Sequence, residues 1–158
     1  MNWTRFFATG LGVGLIPWAP GTFGTLLAVP LVWLAAQSGH FSYMAITIAM
    51  VIFAVLMAHL DEMRSKRHDS SEIVIDEVAG FMVAMTWLPN TWQAYLFGFV
   101  LFRLFDIWKP FPIRQIDRDM PGGFGVVMDD VAAGLIVNII LQFVYIKTVW
   151  LGVQWRGH

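Results

Sequence analysis

Most of the charged residues that could do chemistry lie between residues 103 and 130. Arg103, Asp106 and Lys109 recur at i, i+3 and i+6, so a helix places them on one broad face. Asp129 and Asp130 follow a glycine-rich stretch further along the chain. Carboxylate oxygens suit a hard divalent cation, whereas arginine and lysine suit phosphate oxygens. The cluster therefore indicates chemistry on a phosphate group.

Two smaller polar clusters can complete such a site. Asp76 and Glu77 are adjacent, which places them about 100° apart around a helix. Thr22 lies in the glycine-flanked turn 19–25, at the start of a predicted helix whose N–H groups suit a phosphate. Each cluster also has an ordinary explanation, since acids at a helix N-terminus offset its dipole and glycines often only form turns.

The composition indicates a membrane protein. Of the 158 residues, 58% are hydrophobic and 13% are charged, whereas globular domains carry roughly a quarter charged residues. No Asp, Glu, Lys or Arg falls between Arg5 and Asp61, or between Glu77 and Arg103. Uncharged apolar runs of about 18 residues or more are typical of transmembrane helices. We predict an all-α polytopic membrane helical bundle that forms a single domain, residues 1–158.

Glycine, proline and polar residues divide this bundle into four to five membrane-embedded helices. Residues 1–20 are predicted to form a short interfacial segment rather than a cleaved signal peptide, because glycine and proline interrupt its apolar run. The predicted helices cover 22–37, 41–60, 71–88, 91–109 and 128–150, and 71–88 can be a full span or a re-entrant half-span. Asp69 and Glu72 have the spacing of a capping box ahead of this third helix.

Two finer expectations concern the last helices. Asp129 and Asp130 are expected to open the final helix, where a ridge of polar and small residues is predicted to face protein: Asp130, Gly134, Asn138 and Gln142. The segment 110–121, with its own charges, is expected to lie among anionic headgroups. Residues that select one lipid headgroup over another are expected in the same segment.

The distribution of cations predicts the orientation. With five spans, one side carries most of the cations: Arg5, Arg64, Lys66, Arg67, Arg103, Lys109, Arg114 and Arg118. The opposite side carries Lys147 and Arg156. An excess of cations marks the cytoplasmic side, so the polar clusters are predicted to face the cytoplasm.

Several function classes are excluded by what the chain lacks. A net charge of −1 without a basic stripe gives no basis for binding nucleic acid. The absence of cysteine removes disulfides, thiolate zinc sites and a cysteinyl-phosphate intermediate. His59 and His68 lie near the clusters without a spacing partner, and we expect them to pair or cap rather than to act in catalysis.

Four motifs occur in an order that resembles the phosphatidylglycerophosphatase A family. They are PGTFGT (20–25), Ile75-Asp76-Glu77, RLFDIWKPFPIRQIDR (103–118) and GGFGVVMDD (122–130). The resemblance covers roughly residues 8–140. It implies a Mg²⁺-dependent enzyme of the bacterial inner membrane that converts phosphatidylglycerophosphate to phosphatidylglycerol. The functional positions that it implies are Thr22, Asp76, Glu77, Arg103, Asp106, Lys109, Asp129 and Asp130.

Residue chemistry and resemblance together give a mechanistic hypothesis. The catalytic acids would be Asp76, Glu77, Asp106, Asp129 and Asp130, and all of these except Asp106 are predicted ligands of one or two Mg²⁺. Thr22, Arg103 and Lys109 would bind the substrate phosphate. Attack by water and an aspartyl-phosphate intermediate both remain open. Two other functional classes are compatible with these residues. One is an ion or proton carrier, since intramembrane acids often mark transport paths. The other is a structural subunit. The carrier is disfavoured because the acids cluster at one face.

Overall fold

A computed structural model describes residues 3–65, 70, 72–120 and 122–152. Within these ranges the chain is all-helical, which confirms the all-α prediction. The helices are α1 (Trp3–Ala8), α2 (Pro20–Ala36), α3 (His40–Ser65), α4 (Ile75–Ala84), α5 (Trp92–Trp108), α6 (Ile113–Asp119) and α7 (Gly122–Lys147), with a 3-10 helix at Val13–Leu15. The predicted capping pair Asp69–Glu72, together with Lys66, Arg67, His68 and Arg156, involves positions outside the described residues.

Two helices have the length and composition of membrane spans. Helices α3 and α7 each contain 26 residues, with mean hydropathies of 2.3 and 1.9 over their most apolar windows, and each is about 39 Å long. Many of their large apolar side chains point outward, among them Phe41, Ile139 and Phe143, which are 84%, 68% and 64% exposed. Helix α2 is apolar but shorter. The prediction of four to five spans therefore stays a prediction.

Helix α4 lies at the centre of the fold, packed along α7. A Cβ added to Gly134 would lie 2.3 Å from the Gly80 carbonyl oxygen, so the two backbones touch directly. Asn138 Nδ2 donates hydrogen bonds of 2.9 and 2.7 Å to the carbonyls of Ala84 and Thr86. Gln142 donates one of 3.1 Å to Thr86. The predicted ridge on the last helix does face protein, and it fixes α7 against α4.

The third helix is shorter than predicted. Helix α4 covers ten residues rather than 71–88, and at about 15 Å it cannot cross a membrane. Asp76 and Glu77 consequently lie in its first turn rather than one to two turns in.

The last helix begins earlier than predicted, so Asp129 and Asp130 lie two turns inside it instead of opening it. The glycines of 122–125 precede the helix predicted at 128–150. In the structure they form the first turns of α7 because close contacts require them. A Cβ on Gly123 would lie 2.2 Å from the His59 amide nitrogen, and one on Gly125 would lie 1.9 Å from the Met120 carbonyl oxygen.

Helix α6 lies in the segment 110–121, where no helix is predicted because Pro110 and Pro112 stand at its start. A proline at the entrance of a helix is compatible with helical structure, since the first N–H groups need no partner within the helix. Ile113 is fully buried and anchors α6 against the bundle. Helix α3 likewise continues to Ser65, beyond the predicted end at residue 60, and buries Asp61 near its end.

Candidate active site between helices α4, α5 and α7

A polar cleft of about 240 Å³ opens where α4, α5 and α7 meet the start of α2. Seven of the eight site residues predicted from the sequence line it: Asp76, Glu77, Arg103, Asp106, Lys109, Asp129 and Asp130. Ala19, Pro20 and Gly21 add the first turn of α2. The eighth residue, Thr22, is half-buried in that turn and lies outside the lining. The fold therefore brings together side chains that are more than fifty residues apart in sequence.

Three carboxylates converge in the cleft. Asp76, Glu77 and Asp130 each offer one oxygen atom, and these atoms all lie within 4.8 Å of one another. Asp76 is 8% exposed and Asp130 is 3% exposed. Glu77 Oε2 is buried and has no hydrogen-bond partner among the described residues. Converging buried acids are stabilised by a cation, and oxygen ligands suit Mg²⁺.

The electrostatics of α4, which lies outside the two spans, agree with this interpretation. Burial raises the pKa of Glu77 to about 8. Burial, followed by repulsion from the adjacent Glu77, raises the pKa of Asp76 well above its usual range. In both cases the ionised form is disfavoured by lost hydration. A divalent cation between the carboxylates would offset that cost, so the donor set fits a metal.

Arg103 and Asp106 form one charged pair at the side of the cleft. Arg103 Nη1 contacts Asp106 Oδ2 and lies 3.7 Å from Glu77 Oε1. The Nε atom of Arg103 is buried without a partner in the described structure. The i, i+3 spacing on α5 had suggested this pair. Its guanidinium therefore keeps one N–H donor without a partner among the described residues.

Lys109 forms a second charged group. It ends α5 in a left-handed conformation, with φ of 44°, and its N–H donates to the Phe105 carbonyl at 2.8 Å. Its Nζ lies 2.6 Å from Asp129 Oδ2 and 2.9 Å from Asp117 Oδ1. Asp129, a predicted metal ligand, therefore contacts Lys109 and lies outside the three-carboxylate group.

Two residues that the sequence analysis did not assign to the site take part in it. Asp117 was expected among headgroups, but α6 directs it to Lys109; Ile113, Ile116 and Asp117 share one face of that helix, a spacing that could have indicated it. Gly21 packs against Glu77 and Arg103, since a Cβ there would lie 2.1 Å from Glu77 Oε1 and 2.8 Å from Arg103 Nη1. Only the tertiary contact distinguishes Gly21 from its neighbour Thr22, whose N–H already donates to Ala19.

Comparisons with known proteins identify the family of the chain. The profile of the family described as Phosphatidylglycerophosphatase A matches residues 6–145. A phosphatidylglycerophosphatase A from Escherichia coli (strain K12) is 39% identical over 141 residues, which cover 89% of this chain and 82% of that protein.

Two further relatives have similar coverage. The phosphatidylglycerophosphatase A of Haemophilus influenzae is 36% identical over 143 residues, 89% of this chain and 88% of that protein. A Bacteroides thetaiotaomicron protein, provisionally named a phosphatidylinositol-3-phosphatase, is 36% identical over 141 residues, 84% of this chain and 87% of that protein. No solved structure matches the chain. Together the profile and these relatives show that the chain belongs to the phosphatidylglycerophosphatase A family.

Proposed function

We propose that this protein is a phosphatidylglycerophosphatase, which hydrolyses the terminal phosphomonoester of phosphatidylglycerophosphate to phosphatidylglycerol and phosphate. Family membership supports the activity. The observation that carries the assignment to a site is the group of three carboxylates, Asp76, Glu77 and Asp130, beside two cations. Acids for a metal and cations for a phosphate are the two requirements of this reaction.

The metal in this proposal is Mg²⁺, held by Asp76, Glu77 and Asp130. When bound, it would neutralise the charge of the phosphomonoester and act as a Lewis acid. Asp129 was the fourth ligand predicted from the sequence. Because its carboxylate contacts Lys109, we assign it instead the role of holding that ammonium group in the cleft.

The remaining side chains bind and orient the phosphate. Arg103 and Lys109 donate hydrogen bonds to phosphate oxygens, and Asp106 keeps the Arg103 guanidinium in place. In the proposed hydrolysis the oxygen of a water molecule bonds to phosphorus and the bond from phosphorus to the glycerol oxygen breaks; the water loses one proton, and the leaving glycerol oxygen gains one to become the hydroxyl of phosphatidylglycerol. Thr22, the predicted third phosphate ligand, belongs to the turn that approaches the cleft through Gly21, so we assign it to the shape of that turn.

We further propose a place in the cell. Helices α3 and α7 would cross the bacterial inner membrane, with α2 and α5 as further spans. The cleft would then lie at the cytoplasmic edge, because the cations at this end of the bundle exceed those at the other. This position would give a lipid headgroup direct access to the site.

Phosphate release from phosphatidylglycerophosphate in detergent micelles tests the proposal. Asp76→Asn and Asp130→Asn are each expected to lower kcat at least ~100-fold, since each removes a charged ligand. Asp119→Asn is the matched control, because Asp119 is an exposed carboxylate outside the cleft. A chelator should abolish turnover, and added Mg²⁺ should restore it.

The same assay separates the proposal from its alternatives. Micelles carry no membrane potential to drive transport. In this assay an ion carrier would therefore show no activity and would release no phosphate. Near-normal turnover by Asp130→Asn would remove Asp130 from the site. Full activity in the presence of chelator would remove the metal.

A further inference from the structure

A second groove adjoins the cleft, between the end of α5 and the outer face of α6. Its volume is about 320 Å³, and it is lined by Trp108, Lys109, Pro110, Phe111, Arg114, Gln115 and Arg118. Lys109 is the residue shared between the two linings. An extended molecule could therefore occupy the cleft and the groove at once, passing the Lys109 side chain.

The groove is positively charged. Arg114 and Arg118 are i, i+4 on α6, so they lie one above the other on its outer face. Among the described residues, Arg114 has no ion-pair partner, and Arg118 pairs with Asp119 at 2.9 Å. That pair is exposed on both sides, and exposed pairs of this kind hold their partners weakly. Both guanidinium groups can therefore bind an external anion.

Large aromatic side chains border these arginines. Trp108 and Phe111 are 67% and 78% exposed. Exposed aromatic rings beside cations are typical of the headgroup level of a membrane, where rings meet the acyl boundary and cations meet phosphates. The opposite face of α6 is fixed by buried Ile113 and by the contact of Asp117 with Lys109. The groove is thus a supported surface suited to a lipid phosphate.

The proposed substrate carries a second phosphate at a matching position. Phosphatidylglycerophosphate has a phosphomonoester at one end of its headgroup glycerol and a phosphodiester at the other, next to the acyl chains. We infer that the groove binds this phosphodiester, through Arg114 and Arg118, while the phosphomonoester occupies the cleft. This inference rests on the proposed function and adds a specificity site to it. The groove would select lipids that carry a phosphodiester as well as a terminal phosphomonoester.

The test compares two lipids in mixed micelles at equal surface concentration. Phosphatidylglycerophosphate carries both phosphates, whereas phosphatidic acid carries a phosphomonoester directly on its diacylglycerol. Arg114→Gln and Arg118→Gln should each raise KM for phosphatidylglycerophosphate about fivefold, the upper range for an exposed ion pair, with kcat nearly unchanged. Phosphatidic acid, measured as a substrate or as a competing inhibitor, should be affected less than twofold.

Lys147→Gln is the matched control, because it removes an exposed cation at the far end of α7 and should change neither constant. An equal rise of KM for both lipids would overturn the inference, since it would indicate general attraction to an anionic surface. Unchanged KM values would overturn it as well. If the wild-type protein releases phosphate from neither lipid, the proposed function itself fails, and that outcome is distinct from both.

Discussion

Replacing Gly21 by alanine tests the described site at a position that has no side chain to bind a metal or a phosphate. Gly21 lies in the first turn of α2, against the side chains of Glu77 on α4 and Arg103 on α5. A Cβ there would lie 2.1 Å from Glu77 Oε1, and 2.8 and 2.9 Å from the two Nη atoms of Arg103. The added methyl group would therefore occupy space that the Glu77 carboxylate now fills.

The size of the effect follows from these distances. Ordinary van der Waals contact begins at 3.4 Å, so a contact of 2.1 Å requires the Glu77 carboxylate to move about 1.3 Å. Both contacted groups are the ends of flexible side chains, and alanine favours helix over glycine by up to about 1 kcal/mol, so the fold should survive. A displacement near 1 Å in an active site can lower the rate about 100-fold, equivalent to about 2.7 kcal/mol in the barrier.

The assay is phosphate release in micelles together with thermal unfolding of the same samples. Gly98→Ala is the matched control, because it makes the same change in α5, where a Cβ would lie 2.6 Å from the movable Met85 Sδ and outside the cleft. We expect Gly21→Ala to lose activity and keep its Tm within a few degrees, while Gly98→Ala keeps its activity. Thr22→Val should change activity less than about threefold, since Thr22 does not line the cleft.

Two results would refute this reasoning. If Gly21→Ala stays within threefold of wild-type activity, then Glu77 and Arg103 do not need their described positions. If Thr22→Val loses more activity than Gly21→Ala, Thr22 belongs to the phosphate site, as predicted from the sequence, and the role assigned to Gly21 is wrong.

Two further predictions concern the packing around the site. Lys109→Gln and Asp129→Asn should each lower kcat/KM by about 10-fold or more. The double variant should lose little beyond either single variant, because the two side chains are in contact at 2.6 Å. If the losses in kcat/KM multiply in the double variant, the role assigned to Asp129 is contradicted. Gly134→Ala should lower the free energy of unfolding by about 1–3 kcal/mol, because its methyl group would meet the Gly80 carbonyl oxygen and force α4 and α7 apart. Thermal unfolding in detergent measures this loss, and an unchanged Tm would contradict the direct backbone contact.

Local sequence signals located the residues that line the cleft better than the bounds of the helices that hold them. Arg103, Asp106 and Lys109 could be assigned to one face because their spacing is fixed within a single helix. The start of α7 could not be predicted from local sequence, since glycines 122–125 suit a loop and a tightly packed helix equally well. Contact with the α3 backbone at His59 favours the helix, and nothing local to residues 122–125 encodes that contact.

The roles of the individual acidic residues likewise could not be predicted from local sequence. Asp129 and Asp130 are the same residue type and adjacent in sequence, so both were predicted to be metal ligands. On a helix they point about 100° apart, and the packing of α7 decides which neighbour each one meets. Asp130 meets Asp76 and Glu77, and Asp129 meets Lys109.

The sequence by itself therefore determined the helical class, the family, and the residue types that phosphate chemistry requires, because these depend on composition, spacing and motifs. Only the tertiary structure decided that α4 is too short to span, that Gly21 rather than Thr22 lines the cleft, and that Asp117 reaches Lys109. These outcomes depend on distances between segments far apart in the chain. Such distances are set by the close packing of α4, α5 and α7, which no single segment encodes.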